Sequence, residues 1–482
     1  MKKITDICRT QERPVRVLQF GEGAFLRAFA DEMIDQANVK GVFDGGIAIV
    51  KPRRGGDLER FRSQKGLYTL ISRGISGNAE VDESRIVKSV SQALHAYDDY
   101  ERLCDIMRLD TLQFVISNTT EAGIVFDEND RFEDEPPESF PGKLTKLLYL
   151  RWQAFGGDGG RGLIMLPTEL IEGNGARLRD CVVRLSERWG LEAEFLRWIK
   201  EDNIFCDTLV DRIVTGYPKE EAAALCERLG YEDGLIDVAE PFGLWVIASE
   251  RIAEVREKLP LDRAGLPVVF TGDAAPYRER KVRVLNGAHT SMALAAYLAG
   301  FDTVGECMDD PVMREYIERT LFGEIVPFVP LPGKEAAEFA HSVLERFANP
   351  FLRHRLLSIA LNSVSKWRAR VLPSVLDYYA KEGRPPELLT FSFAALAEFY
   401  TAGERGGVKY EPSDDAAVLE FFGANRELSA RGLIEKLAAQ ERFWGMALGE
   451  IDGFIDKAAE SLGDIRENGA AAAIKRAAGR RG

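Results

Sequence analysis

Apolar and polar positions change rhythm past the middle of the chain. Up to about residue 270, short apolar runs rich in β-formers recur at 15–20, 46–50, 112–117, 163–166, 244–247 and 267–270, each bounded by glycine or polar residues. Such runs predict buried strands. Between the first two, Phe25, Phe29, Met33 and Ile34 return at helical spacing. The stretches 67–71 and 85–90 predict a β excursion joined by a polar, glycine-containing segment. Strands that alternate with helices and end in small or polar residues predict a mostly parallel, doubly wound sheet, in which ligands collect at the carboxyl ends of the strands. After about residue 277, helix-period stretches follow one another at 282–299, 311–323, 334–348, 351–371 and 386–403. The expected fold is therefore α/β plus all-α: a Rossmann-like doubly wound domain over 1–276, then an all-helical domain over 277–482. The Ala-rich, basic tail from Ala470 reads as a frayed last helix.

Composition narrows the function classes. A chain of 482 residues is too long for one core and predicts two or three domains. A formal net charge of −14 argues against a nucleic-acid partner, because phosphate binding needs concentrated positive charge. It leaves room for a small anionic substrate held by local basic residues. The six cysteines are scattered with no C-x-x-C pair, which predicts reduced thiols rather than a disulfide framework or structural zinc. The start, MKKITDICRTQERP, carries no long apolar run of the kind a signal peptide needs, and no stretch near eighteen apolar residues occurs. The expectation is a cytoplasmic protein with a small-molecule substrate, no nucleic-acid or membrane partner, and a monomeric or small homo-oligomeric state.

Candidate chemistry begins at Gly21-Glu-Gly-Ala-Phe-Leu-Arg27, directly after the first strand. A dinucleotide fingerprint belongs there: the first glycine makes the tight turn, and the second lets backbone N–H groups approach a pyrophosphate at a helix N-terminus. Leu26 replaces the third glycine of the common pattern. Phe20, Gly21, Gly23 and Phe25 of this turn, with Asn118, Thr120 and Glu121 at the end of the 112–117 run, are the candidate cofactor residues. The second strand, which normally ends in an acid for the adenosine ribose of NAD, ends here in Lys51-Pro-Arg-Arg54, with Asp57 further on. These basic residues suit a 2′-phosphate equally, so spacing alone leaves NAD against NADP open.

The segment Tyr277 to Thr290 holds a second constellation. If Lys281 to His289 is α-helical, Asn286 lies about 140° and His289 about 80° around the axis from Lys281. One broad face then presents an amine, an amide and an imidazole. Carbonyl reduction needs a proton donor beside the oxygen that takes up charge, and a partly buried lysine has its pKa lowered toward neutrality. An amide and an imidazole can hydrogen-bond the developing alkoxide. Metal catalysis is the rival, but His341 and His354 stand thirteen positions apart and no H-E-x-x-H occurs, so no metal is expected.

Taken together, Gly21 to Ala28, Ser117-Asn-Thr-Thr-Glu121, Val210-Asp-Arg-Ile213, Tyr277 through His289, and Arg346-Phe-Ala-Asn-Pro350 resemble the mannitol dehydrogenase family of long-chain, zinc-independent polyol and uronate dehydrogenases. Phrases such as Leu18-Gln-Phe-Gly-Glu-Gly23 and Thr208 through Pro218 are similar to its uronate-reducing branch. The resemblance implies NADH-dependent reduction of D-tagaturonate to D-altronate, with NAD as cofactor. It implies Lys281 as general acid/base, with Asn286 and His289 polarising the carbonyl or holding the lysine. Lys366 matches a substrate-binding lysine of the family. The polyol enzymes carry a Cys-Asp-Asn triplet where this chain has Thr168-Glu169-Leu170, followed by Asn174-Gly175, and Ser358 stands where they carry a substrate-binding arginine. Glu169 and Asn174 are accordingly expected at the substrate, and both departures suit an acidic one. The alternatives in the same class are fructuronate reduction and oxidation of a sugar alcohol or its phosphate. A non-catalytic nicotinamide-binding sensor is the rival from another class, and it would have no use for a proton donor.

Overall fold

The computed structural model of the protein describes residues 1–77, 79–120 and 122–479. The candidate Glu121 lies outside the described residues. The chain forms two compact units, one of residues 1–73 with 80–274, the other of 74–79 with 275–482.

In the first unit six strands, β1 (Val15–Phe20), β2 (Gly46–Lys51), β3 (Val90–His95), β4 (Phe114–Ser117), β5 (Ile164–Pro167) and β6 (Ile204–Phe205), form one sheet in the order β3-β2-β1-β4-β5-β6. Every neighbouring pair is parallel. The order reverses between β1 and β4, the Rossmann switch point where ligands bind. Side chains alternate between two cores. Val17, Ile47, Ile49, Phe114 and Ile116 enter one, and Leu18, Phe20, Ala48, Val50 and Val115 the other. A strand covered on both faces needs apolar residues at every position, which is why these runs are continuous rather than alternating. Each such buried Val, Ile or Phe contributes roughly 1.5–3 kcal/mol. Phe20 stands level with Val50 on one side and Ser117 on the other, so the three strands end together.

Two parts of the strand pattern differ from expectation. The β excursion is longer, with strands at Tyr68–Ser76 and Ala79–Val87 in a four-stranded sheet with Val214–Gly216 and Asp237–Ala239. The chain then returns as β3, an edge strand hidden in the sequence by the polar Ser91 and Gln92. The runs near 244 and 267 join Asp207–Asp211 in a separate three-stranded sheet.

Helix α1 (residues 24–39) follows the glycine turn and carries a π-helical insertion at Arg27–Asp31. In the second unit, helix α2 (residues 275–298) carries another at Lys281–Asn286. The expected helix over 351–371 is broken. Leu356–Ile359 and α3 (Ser363–Arg370) are separated by Asn362, whose φ of 53° is left-handed. Asparagine tolerates that conformation, and one such residue resets the helix direction. Helix α4 (Glu387–Ala402) is buried over most of its length and packs against α2. All six cysteines are free, and among the described residues no helix is long and apolar enough to cross a membrane.

Candidate functional site

The turn after β1 is built for close approach. Gly21 donates its N–H to Val50 O at 2.9 Å and holds φ at 132°. A Cβ there would lie 3.0 Å from Asn118 O. Both facts restrict the position to glycine. At Gly23, which begins α1, an added Cβ would meet nothing within 4 Å. The chain thus enters α1 with open space at Gly23, and the helix dipole at that end favours an anion. This geometry fits a dinucleotide pyrophosphate. Phe20 is fully buried and packs on Phe140, so only its backbone reaches the turn, its O accepting from Asn118 N. Phe25 is half-buried and stacks on Phe29.

Beyond the ends of β2 and β4 lies a cavity of about 230 Å³, lined among others by Arg53, Thr119, Thr120, Glu138 and Lys143. Lys143, buried on the helix Phe140–Ala154, was not marked by the sequence. Its Nζ donates to Glu138 O at 2.6 Å and to Tyr97 Oη at 3.1 Å, and burial pushes its pKa down to about 8. No acid stands at the end of β2. Lys51 pairs there with Glu22 of the glycine turn at 2.6 Å, and Asp57 Oδ1 accepts from Glu59 N.

Beneath the turn lies a buried polar network. Gln19 Nε2 donates to Gly21 O at 3.1 Å. Arg27 donates to Leu235 O at 2.6 Å and pairs with Asp237 at 3.3 Å. Tyr68 Oη donates to Arg27 O at 2.7 Å, with Asp31 alongside. Burial pushes the Asp31 carboxyl up to about 8 and that of Asp237 up to about 7.

Glu169 and Asn174, expected at the substrate, both hydrogen-bond within the protein. Glu169 accepts from Ser117 Oγ at 3.1 Å and from both Thr119 N and Thr119 Oγ1 at 2.9 Å. It clasps the loop after β4. Asn174 is wholly buried; its Nδ2 donates to Pro167 O and Glu169 O, and its Oδ1 accepts from Gly175 N and Thr208 N. Asn118 is similarly tied, its Nδ2 donating to Thr168 Oγ1 at 2.9 Å, while Thr120 is exposed.

In the second unit, Lys281, Asn286 and His289 all lie on α2 and are half-buried. The α-helical angles expected for them do not hold, because 281–286 is a π segment, closed by Gly287 N donating to Val282 O. Pairing of residues five apart brings Lys281 and Asn286 onto one side. Regular α geometry then resumes, and His289 follows Asn286 by the i,i+3 step that keeps neighbours on one face. π insertions of this kind recur at functional sites. On another side of the segment, buried Arg283 holds it in place by donating to Ser374 Oγ at 3.0 Å and Asp377 at 2.7 Å.

His289 stacks on Phe347 at 4.1 Å and meets His354 edge-on at 4.9 Å. Burial, then the charges of His354, Arg346 and Arg370, hold its pKa well below the ordinary 6.5, so the ring is neutral. Helix α3 packs against α2. A Cβ on Gly287 would stand 2.8 Å from Arg370 O, so glycine is what lets the two helices meet. Lys366 on α3 donates to Ile359 O at 3.0 Å, and burial followed by Arg370 lowers its pKa. No site role was expected for His354, Arg346 or Arg370 from the sequence. Among the described residues no group of three or more His, Cys, Asp or Glu is arranged to hold a metal.

Residues 15–260 match the mannitol dehydrogenase Rossmann domain, and residues 273–466 match the mannitol dehydrogenase C-terminal domain. The chain belongs to the mannitol dehydrogenase family. Members of this family are oxidoreductases acting on CH–OH groups, and so is this chain. It is 42% identical over 471 residues to the altronate oxidoreductase of Yersinia enterocolitica, covering 96% of this chain and 97% of that one. The altronate oxidoreductase of Bacillus subtilis is 42% identical, with 96% of this chain and 95% of that one covered. Among solved structures, a substrate-free D-sorbitol dehydrogenase superposes with a TM-score of 0.81 at 24% identity, over 95% of each chain. A Pseudomonas fluorescens mannitol 2-dehydrogenase, in ternary complex with NAD and D-mannitol, gives 0.66 at 24% identity, over 96% of this chain and 94% of that one. Both share the fold of this chain.

Proposed function

We propose that this chain is an NAD-dependent tagaturonate reductase, interconverting D-tagaturonate and D-altronate without a metal. The observation that carries this reading is the π segment of α2, whose pairing of residues five apart supports a shared side for Lys281, Asn286 and His289, while α3, the helix of Lys366, packs against α2. The level of identity to altronate oxidoreductases over nearly the whole chain supports the substrate. The dinucleotide belongs to the first unit, at Gly21, Gly23 and the cavity beyond β4. NADH, when bound, supplies the hydride.

The chain's own residues do the rest. Lys281 hands a proton to the substrate oxygen during reduction and takes it back during oxidation. Asn286 and the neutral ring of His289 donate hydrogen bonds to that oxygen as charge develops on it. Lys366 holds the carboxylate of the sugar acid. The protein acts on a small molecule, as a monomer or small homo-oligomer, in the cytoplasm, a setting its six unpaired cysteines suit.

The experiment is an NADH-oxidation assay against tagaturonate, fructuronate, fructose and fructose 6-phosphate, repeated with NADPH. Tagaturonate with NADH should give the highest kcat/KM. A higher value for fructuronate or for either fructose compound would replace the substrate, and a preference for NADPH would replace the cofactor.

A further inference from the structure

Resting on the reading of this site as one for a sugar acid, we propose that Arg370, together with Lys366 one helical turn before it, is a binding residue that receives the substrate carboxylate and so selects uronates over neutral sugars. The two side chains stand four residues apart on α3, where like charges share a face and destabilise the helix when nothing lies between them. Arg370 is half-buried, and no hydrogen bond or ion pair joins its guanidinium to any described residue. Burial alone lowers its pKa; no carboxylate offsets that loss of water. His289 and Lys366 each sense its positive charge. Among the described residues the one carboxylate that acts on the pair is Asp414, on Lys366, and it already accepts from Val364 N at 3.2 Å and from Tyr400 Oη.

A partly dehydrated cation without a counter-ion is costly, and an anionic ligand removes that cost. A guanidinium presents a planar fork matched to a carboxylate, whereas a lysine ammonium is a point charge, so the pair reads both shape and charge. The contact between Gly287 and Arg370 O fixes the root of the arginine side chain against the helix that carries Lys281. Recognition of the acid end and chemistry at the ketone thus hang on one helix–helix contact.

The test compares wild type with Arg370→Met and Arg370→Lys, using altronate, the neutral hexitol D-mannitol and D-mannitol 1-phosphate as inhibitors. Arg370→Met should weaken altronate roughly 10- to 100-fold, the range for a hydrogen-bonded charge, and leave mannitol within about twofold. Arg370→Lys should recover part of the loss. Equal losses for altronate and mannitol, or no loss in a variant with wild-type NADH affinity and melting temperature, would overturn the proposal. So would tighter, Arg370-dependent binding of the phosphate ester. If the variants do not fold, wild type decides alone: altronate must bind at least about tenfold more tightly than mannitol, a gap of about 1.4 kcal/mol. If wild type turns over no tagaturonate but binds altronate with this Arg370 dependence, the substrate reading fails and the inference stands. If tagaturonate is turned over but is indifferent to Arg370, the substrate reading stands and the inference fails.

Discussion

Arg27 in the first unit and Arg370 in the second are both withdrawn from water, yet their surroundings differ. Arg27 has Asp237 at 3.3 Å, the carbonyl of Leu235 at 2.6 Å and the ring of Tyr68 beneath its guanidinium. Folding itself supplies its partners. Arg370 adds its positive charge to those acting on Lys366 and His289, and among the described residues no carboxylate pairs with it. Around Arg27 the buried acids Asp31 and Asp237 favour keeping a proton. Around Arg370 the dehydrated bases Lys366 and His289 favour taking in an anion. Such a difference separates polar groups that complete a scaffold from polar groups that wait for a ligand.

The comparison breaks most sharply at Lys281. Lys281→Met keeps the length of the side chain and removes its proton, so kcat should fall about 10²- to 10⁴-fold. NADH affinity, assigned to the first unit, should be unchanged by fluorescence titration. A variant that retains near-normal turnover, or loses both properties together, would contradict the division of labour between the units.

A smaller effect sharpens the other side of the comparison. Asp31 titrates near 8 in the folded chain, against an ordinary 3.8 once unfolded. Gln19 Oε1 and Asp31 Oδ1 are both buried without a partner among the described residues, and a proton held on Asp31 offers one of them a donor. Folding therefore favours the protonated form. The stability this contributes is full below about pH 4 and is lost as pH rises toward about 8, at about 1.4 kcal/mol per pH unit. Asp31→Asn abolishes that slope. Its melting temperature relative to wild type should climb from pH 5 to pH 8, and parallel curves would show that Asp31 is ionised in the native state.

Much of the first unit was legible because its signals are local. The run Val15 to Phe20 is apolar at four of its six positions, and the glycines behind it have one backbone task. Strand β3 was missed because an edge strand tolerates polar residues such as Ser91 and Gln92. Lys281, Asn286 and His289 were singled out by residue type, but the α-helical spacing expected for them does not hold. Counting at 3.6 residues per turn cannot foresee a π insertion, which depends on tertiary anchors such as Arg283 on Asp377. Glu169 and Asn174 were expected at the substrate by resemblance to the family's triplet, whereas their hydrogen bonds to Thr119 and Pro167 emerge only from the fold. Arg370 was invisible for the opposite reason. In Lys366-Trp-Arg-Ala-Arg370 it reads as one more surface charge, and only the meeting of α3 with Gly287 gives it a place.

The central claim is that this chain moves a hydride between NADH and a keto sugar acid, and deuterium labelling tests it most directly. Purified protein is given tagaturonate and NADH deuterated at its transferable position, and the product is analysed by mass spectrometry and NMR. The account predicts altronate carrying one deuterium bonded to the newly formed carbinol carbon, with one NADH consumed per product. Product free of carbon-bound deuterium, or no altronate despite intact NADH binding, would contradict it.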